Sequence, residues 1–310
     1  KEDYATAMNI INSIDCELFV NYEFPDWKPF PKYALQEKYN IIKNIIHCFD
    51  NENENLRRFV KYVVISNLDK IFDYKRDGNG IKYRKSKIST EDTFTYISEL
   101  LRKSIKLKEI FDKENYKKIY FYKESIITTS MNITDIDLIV TSPPYANMFD
   151  YFEVYKMELW TSGLISSYKE WKNFKKTALR SNKNTQLNKD EFINNENLEK
   201  AISKMKQNNV DNTTLSMINN YFYDMKIVLE KMYKSLNKKA YMFIVVGNSF
   251  YGGIPVITDE IIAEEAKKIG FSLVDMIISR KLSTSSQQMK IIRDEDKIYL
   301  RESIVVLRKD

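Results

Sequence analysis

Apolar positions keep a helical period through the first hundred residues of the chain and then change to a strand-like one. In residues 1–19, Ala5, Met8, Ile11 and Ile14 fall three apart, which predicts a helix with no strand before it. Residues 24–31, Phe-Pro-Asp-Trp-Lys-Pro-Phe-Pro, form a connector too rich in proline for regular structure. Helical spacing resumes from 35 to about 72 through Ile41, Ile42, Ile45, Ile46, Phe59, Val63, Val64 and Leu68, and again from 93 to 111. Between these helical stretches lies a basic loop, residues 75–85, carrying Gly78 and Gly80.

Beyond it the pattern suits strands at 118–123, 137–140 and 240–246. Helices are expected at 151–164, 215–236 and 259–269, the last stopped by Gly270. Residues 271–280 and 302–307 are expected to pair as a closing antiparallel hairpin, with 283–296 as its polar connector. Strands alternating with helices predict an α/β fold whose sheet is mostly parallel, with helices on both faces. The expected organisation is a mainly helical region at 1–115 and a second domain at 116–310, interrupted by a lysine- and asparagine-rich insert at about 166–212. No internal repeat is visible.

At 310 residues and 43% apolar, the chain has enough material for a large core. No apolar run approaches the roughly 20 residues of a membrane span, and the chain opens on Lys-Glu-Asp, so a cytoplasmic location is expected. Cys16 and Cys48 lack metal-ligand spacing and the single histidine, His47, adds too little, so no metal site is expected. A net charge of +6 leans towards a polyanionic partner.

The stretch with the most chemistry is Asp137-Leu138-Ile139-Val140-Thr141-Ser142-Pro143-Pro144-Tyr145, a strand running into a turn that holds two of the six prolines. Proline lacks an N–H and has a fixed φ, so the pair ends the strand and holds the chain extended past its C-terminal edge. That edge is where open α/β sheets place ligands.

These residues resemble the catalytic motif of the amino-group DNA methyltransferases, and the Thr-Ser-Pro-Pro-Tyr form looks like the N4-cytosine branch. The likeness continues through Ala146-Asn147-Met148-Phe149-Asp150-Tyr151, Glu158-Leu159-Trp160, Val245-Val246-Gly247-Asn248-Ser249, the closing hairpin and the basic Lys75–Lys85 loop. The resemblance implies a Rossmann-like methyltransferase sheet, S-adenosylmethionine as cofactor and double-stranded DNA as partner. Such a protein belongs in a restriction-modification or related defence system.

The chemistry fits these residue types. An exocyclic amine on cytosine is a poor nucleophile because its lone pair is delocalised into the ring. Acceptors for both amino hydrogens, the Ser142 hydroxyl and the Pro143 carbonyl, draw the nitrogen towards tetrahedral geometry. Pro144 completes the turn, and Tyr145 is expected to stack on a base flipped out of the duplex. The same logic serves N6 of adenine, a second reading. A third is a non-catalytic DNA-recognition subunit with a degenerate fold.

Phosphate contact is expected from Lys75, Arg76, Lys82 and Arg84 in the basic loop. In the insert it is expected from Lys175, Lys176 and Arg180 around Trp171 and Phe174. Thr141, Glu124, Asp135, Gly247 and Asn248 are the candidates for the cofactor edge. A glycine-rich turn after a first strand, which this kind of enzyme uses to bring backbone close to the cofactor, is missing, since Gly78 and Gly80 are the only glycines before Gly163. Two expectations follow: a longer natural chain, or a second protein subunit that carries the cofactor turn.

Overall fold

The computed structural model describes residues 2–112, 120, 122, 124–130, 132–283 and 289–310, with backbone alone at 2–4 and 108–112. The expected strand at 118–123 lies outside the described residues apart from Tyr120 and Tyr122, which are in no regular element. The chain divides into two units, one made of Lys1–Tyr122 and Tyr151–Asn173, the other of Lys123–Asp150 and Phe174–Asp310.

The first unit begins with helices α1 (Glu2–Ser13), α2 (Gln36–His47), α3 (Glu54–Ile65) and α4 (Leu68–Ile71). The single helical pattern read over 35–72 is thus three helices. The Asn53 side chain accepts the Leu56 N–H and starts α3, so the backbone donors at that end need no preceding turn of helix. Leu56, Val60, Val63 and Val64 then fall on one buried face.

The basic stretch expected as a loop is instead a hairpin of β1 (Tyr74–Asp77) and β2 (Gly80–Tyr83), with Asp77 paired to Gly80 across Gly78-Asn79. The turn residues were legible; the pairing on either side of them was not. Helix α5 (Thr90–Asp112) follows, then the short α6 (Tyr151–Val154) and α7 (Lys156–Thr161), and α8 (Tyr168–Lys176) begins within this unit. Its core packs Phe30 edge-on against Tyr39 and Phe72, with Trp160 and Trp171 stacked 6.3 Å apart. Lys38 is buried and donates to the Ile71 and Ile88 carbonyls; burial holds its ammonium below the ordinary lysine range.

The second unit holds β3 (Ile136–Thr141), α9 (Glu196–Gln207), α10 (Asn212–Ser235), β4 (Leu236–Gly247), β5 (Ser249–Tyr251), β6 (Ile254–Val256), α11 (Thr258–Ile269), β7 (Phe271–Lys281) and β8 (Arg301–Lys309). Four strands form one sheet in the order β3-β4-β8-β7. β3 and β4 are parallel, while β4 with β8 and β8 with β7 are antiparallel. The sheet is therefore mixed, and a mostly parallel sheet is not found among the described residues. The reason lies in the closing hairpin, which forms as expected but inserts its second strand, β8, between β4 and β7 and so adds two antiparallel pairings.

Met242, Ile244 and Val246 alternate inward from β4, meet Val305 and Leu307 of β8, and are covered by Tyr221, Phe222 and Met225 of α10 and by Ile261 and Ile262 of α11. The register sets Gly247 opposite Glu302 and Thr141 beside Ile244, so the C-terminal ends of β3 and β4 and the start of β8 gather at one edge. Among the described residues, no helix is long and apolar enough to cross a membrane.

Helix α10 is started by Asp211, whose carboxylate accepts the Thr214 N–H at 2.9 Å and hydroxyl at 2.7 Å and pairs with Lys183 at 2.8 Å. Lys183 first, then Thr214, hold this carboxyl far below the ordinary aspartate range. A depressed folded-state pKa means that the stabilisation is complete above the unfolded value, about pH 4, and is lost as pH falls through the folded one. Asp211→Asn keeps a capping oxygen but cannot ionise. Its urea stability is expected to fall at pH 7, with a shallower decline than the parent on acidification below pH 4; identical acid slopes would count against the role of this carboxylate.

Candidate active site

The Pro-Pro turn leaves β3 at Thr141 and places Ser142 at the surface, with Pro143, Pro144 and Tyr145 half-buried behind it. Tyr145 is the best-fixed member. An added Cβ at Gly247 would lie 2.9 Å from Cδ2 of its ring and 3.2 Å from the Leu282 side chain, so the ring rests directly on the glycine backbone. Any side chain at 247 would need the space that the ring occupies, which explains a glycine directly after the apolar run at 240–246.

The phenol donates to Oε2 of Glu302 at 2.9 Å, and Ser142 Oγ stands 3.4 Å from the phenol oxygen. Glu302 is itself buried and receives the Arg280 fork, Nε at 2.9 Å and Nη2 at 2.8 Å, with Ser279 Oγ at 3.4 Å. The Arg280 hydrogen bonds hold the Glu302 carboxyl below the usual range, while burial pushes the Tyr145 phenol up, helped by Glu302.

The segment after the motif is anchored rather than loose. The Ala146 carbonyl accepts the Tyr251 hydroxyl at 2.5 Å, and Met148, at a φ of 63°, donates its N–H to the Ser181 carbonyl. Asp150, buried, accepts Asn184 Nδ2 at 2.8 Å and pairs with Lys175 at 3.1 Å. Asn248 donates its backbone N–H to the Arg301 carbonyl and accepts the Asp259 N–H, but its Nδ2 and the neighbouring Ser249 Oγ are buried with no hydrogen-bond partner.

The structure thus brings together Thr141, Ser142, Pro143, Pro144, Tyr145, Gly247 and Asn248. It does not bring Asp135 there: this residue precedes β3, whose length of roughly 3.3 Å per residue separates it from the motif, and it accepts the Thr134 hydroxyl. Glu124 accepts the Thr129 hydroxyl in a turn whose carbonyls at Ile126, Ile127 and Thr129 receive the Lys231 ammonium.

The candidate phosphate ligands also divide. Lys75, Lys82 and Arg84 on the hairpin and Lys176 at the end of α8 are exposed, although Lys82 pairs with Asp77. Arg76 bridges Asp69 and Glu158 and lies over the Tyr155 ring. Lys175 is spent on Asp150. Arg180 is the clearest departure from a solvated DNA contact: its guanidinium is gripped by Asp224, 3.0 Å from Nε to Oδ2, and by Glu191, and its own N–H binds Asp224 at 2.9 Å. Trp171 belongs to the core of the first unit.

Glu302 and Arg280 were not visible as functional residues from sequence, because a contact 157 positions from Tyr145 leaves no local pattern. Among the described residues, no group of three or more His, Cys, Asp or Glu side chains is placed to hold a metal ion.

The chain is similar to the type II methyltransferases M.AvaI of Nostoc sp. and of Anabaena variabilis, each 30% identical over 190 residues, which cover 56% of this chain and 38% of theirs. It is also 21% identical to the type II methyltransferase M.BsoBI of Geobacillus stearothermophilus over a 347-residue alignment, covering 89% of this chain and 67% of that one. The matched part thus spans less than half the length of the M.AvaI proteins. No family model matches the chain, and no solved structure does.

Two measurements follow from this geometry. Gly247→Ala is expected to cost about 1–3 kcal/mol in urea unfolding by displacing the Tyr145 ring, and to cost less in a Tyr145→Ala background. An equal cost in both backgrounds would separate the glycine from the ring. Arg180→Ala leaves the buried Asp224 with the backbone N–H but without its counter-charge and is expected to destabilise by about 3–5 kcal/mol in urea unfolding; a parental midpoint would count against the pair as a structural contact.

Proposed function

We propose that this chain is the catalytic part of an S-adenosylmethionine-dependent DNA methyltransferase that methylates N4 of cytosine in double-stranded DNA within a restriction-modification or related defence system. The observation that carries the reading is the Ser-Pro-Pro-Tyr turn at the C-terminal end of a parallel strand pair, its hydroxyl exposed and its aromatic ring fixed on Gly247. The sequence similarity to type II methyltransferases supports it.

In this reading the flipped base lies against Tyr145, a face large enough to replace the stacking lost in the duplex. Ser142 Oγ and the Pro143 carbonyl accept the two N4 hydrogens, and the nitrogen lone pair turns out of the ring plane. Bound S-adenosylmethionine would supply the electrophilic methyl group that N4 accepts, with the neutral thioether as leaving group. The surplus N4 proton leaves past exposed Ser142 to water. The chain's task is therefore position, since both reactants are held for in-line attack.

The residues at the end of β4 fit one edge of such a cofactor: Asn248 Nδ2 and Ser249 Oγ are buried polar atoms with no protein partner. The main cradle, in our reading, comes from a glycine-rich turn on a further polypeptide segment or second subunit. The side chains of Leu138 and Val140 on β3, 55% and 69% exposed, are the kind of apolar surface such an element would cover. Phosphate contacts fall to Lys75, Lys82, Arg84 and Lys176.

The test is mass spectrometry of nucleosides from duplex DNA incubated with the protein and a labelled methyl donor. N4-methylcytosine is expected with the parent protein, and a loss of at least about 100-fold with Ser142→Ala while DNA binding survives. N6-methyladenine would move the substrate to adenine; DNA binding with no methylated base under any donor concentration would favour a recognition subunit.

A further inference from the structure

Ser142 must accept a hydrogen bond from the target amine, yet a hydroxyl both donates and accepts, and nothing in the motif itself dictates which it does. The neighbouring contacts do. Glu302, ionised, is acceptor-only, and the Arg280 fork keeps it ionised. The phenol of Tyr145 has one proton, and it goes to Glu302 Oε2 at 2.9 Å. Its oxygen can then only accept. At the 3.4 Å contact with Ser142, the serine hydroxyl is therefore the donor. That distance is long for a hydroxyl pair, so the contact contributes direction more than strength. With its proton turned towards Tyr145, Ser142 presents its lone pairs elsewhere.

We propose that Glu302 and Arg280 are positioning residues that act through Tyr145 to set the hydrogen-bond polarity of Ser142, so that its oxygen meets the target amine as an acceptor. The proposal rests on the methyltransferase reading above for its consequence, but the polarity itself is a property of the free protein. Three features support a built chain over a chance contact. Glu302 is 7% exposed, so its carboxylate is held largely out of water and depends on the donors around it. Three further donors or partners converge on it, two from Arg280 and one from Ser279. Gly247 opposes it in the strand register and makes the space for the ring whose hydroxyl it receives.

The relay separates two roles of Tyr145 that a single ring combines. Tyr145→Phe keeps the stacking face and removes the relay. Glu302→Gln keeps the shape, but its amide carries donors as well as an acceptor and no longer forces the direction.

The experiment uses the complete natural protein with duplex DNA and labelled methyl donor, and compares Ser142→Ala, Tyr145→Phe, Glu302→Gln and the Tyr145→Phe/Glu302→Gln double variant. Each single relay variant is expected to lower kcat about tenfold, with KM for DNA within about twofold. The double variant is expected to be no worse than the more impaired single one, because both changes cut the same chain. Losses that multiply, or either single variant with parental kcat while Ser142→Ala is inactive, would overturn the proposal and leave the methyltransferase reading standing.

Carbon-13 NMR of protein labelled at tyrosine Cζ supplies the readout that does not depend on activity. The Tyr145 resonance is expected to move in both Glu302→Gln and Ser142→Ala, in protein whose thermal melt shows it folded. A resonance unmoved by either change would overturn the relay. If Ser142→Ala methylates as the parent does, or the parent methylates nothing, it is the functional reading that falls, and the NMR result then judges the relay by itself.

Discussion

A carboxylate buried in a protein must be met by donors or give up its charge, and Glu302 is met from two directions at once. The Arg280 fork reaches it from the neighbouring strand, and the Tyr145 phenol reaches it from a turn more than 150 residues earlier in the chain. Breaking one contact leaves the other partners of Glu302 in a site shaped for a full set. The position of the closing hairpin, the space above Gly247 and the direction of the Pro-Pro turn are thereby tied to one another. The sheet supplies the rigidity: β8 is paired along both edges, so Glu302 cannot shift without disturbing β4 and β7 together.

That rigidity suits the methyl transfer proposed above, in which the protein would supply little covalent chemistry. Aligning an amine, its acceptors and a methyl group demands tolerances of a fraction of an ångström, and side chains on strand ends meet them better than side chains on free loops. The anchored course of 146–150, with Tyr251 on the Ala146 carbonyl and Ser181 on the Met148 amide, extends the same stiffness beyond the turn.

Much of this was written in local pattern. The apolar run ending at Thr141, the paired prolines, the alternating β4 stretch and the hairpin made by β7 and β8 all follow from neighbours in sequence, and each is found where expected. What was hidden depends on pairing between distant segments. Alternation of strands and helices suggested a parallel sheet, because nothing in β8 announces that it will slot between β4 and β7. Arg180 looked like a surface cation in a lysine-rich stretch, because its partner Asp224 lies 44 positions further along the chain, within α10. Gly247 showed only as a glycine at a strand end; its reason, the ring of Tyr145, appears once both strand ends share an edge.

The ion pair between Lys175 and Asp150 has a meaning beyond charge balance. The chain leaves the second unit at Asp150 and re-enters it at Phe174, and this contact, with side chains 12% and 3% exposed, closes the detour at its base. A detour whose two ends are already clasped adds little closure entropy however long it grows, since that cost rises only with the logarithm of its length. The excursion is in this sense pinned at its base: the side chains between Asp150 and Phe174 serve the core of the first unit, while the two ends, and the strand edge they lead back to, stay in register.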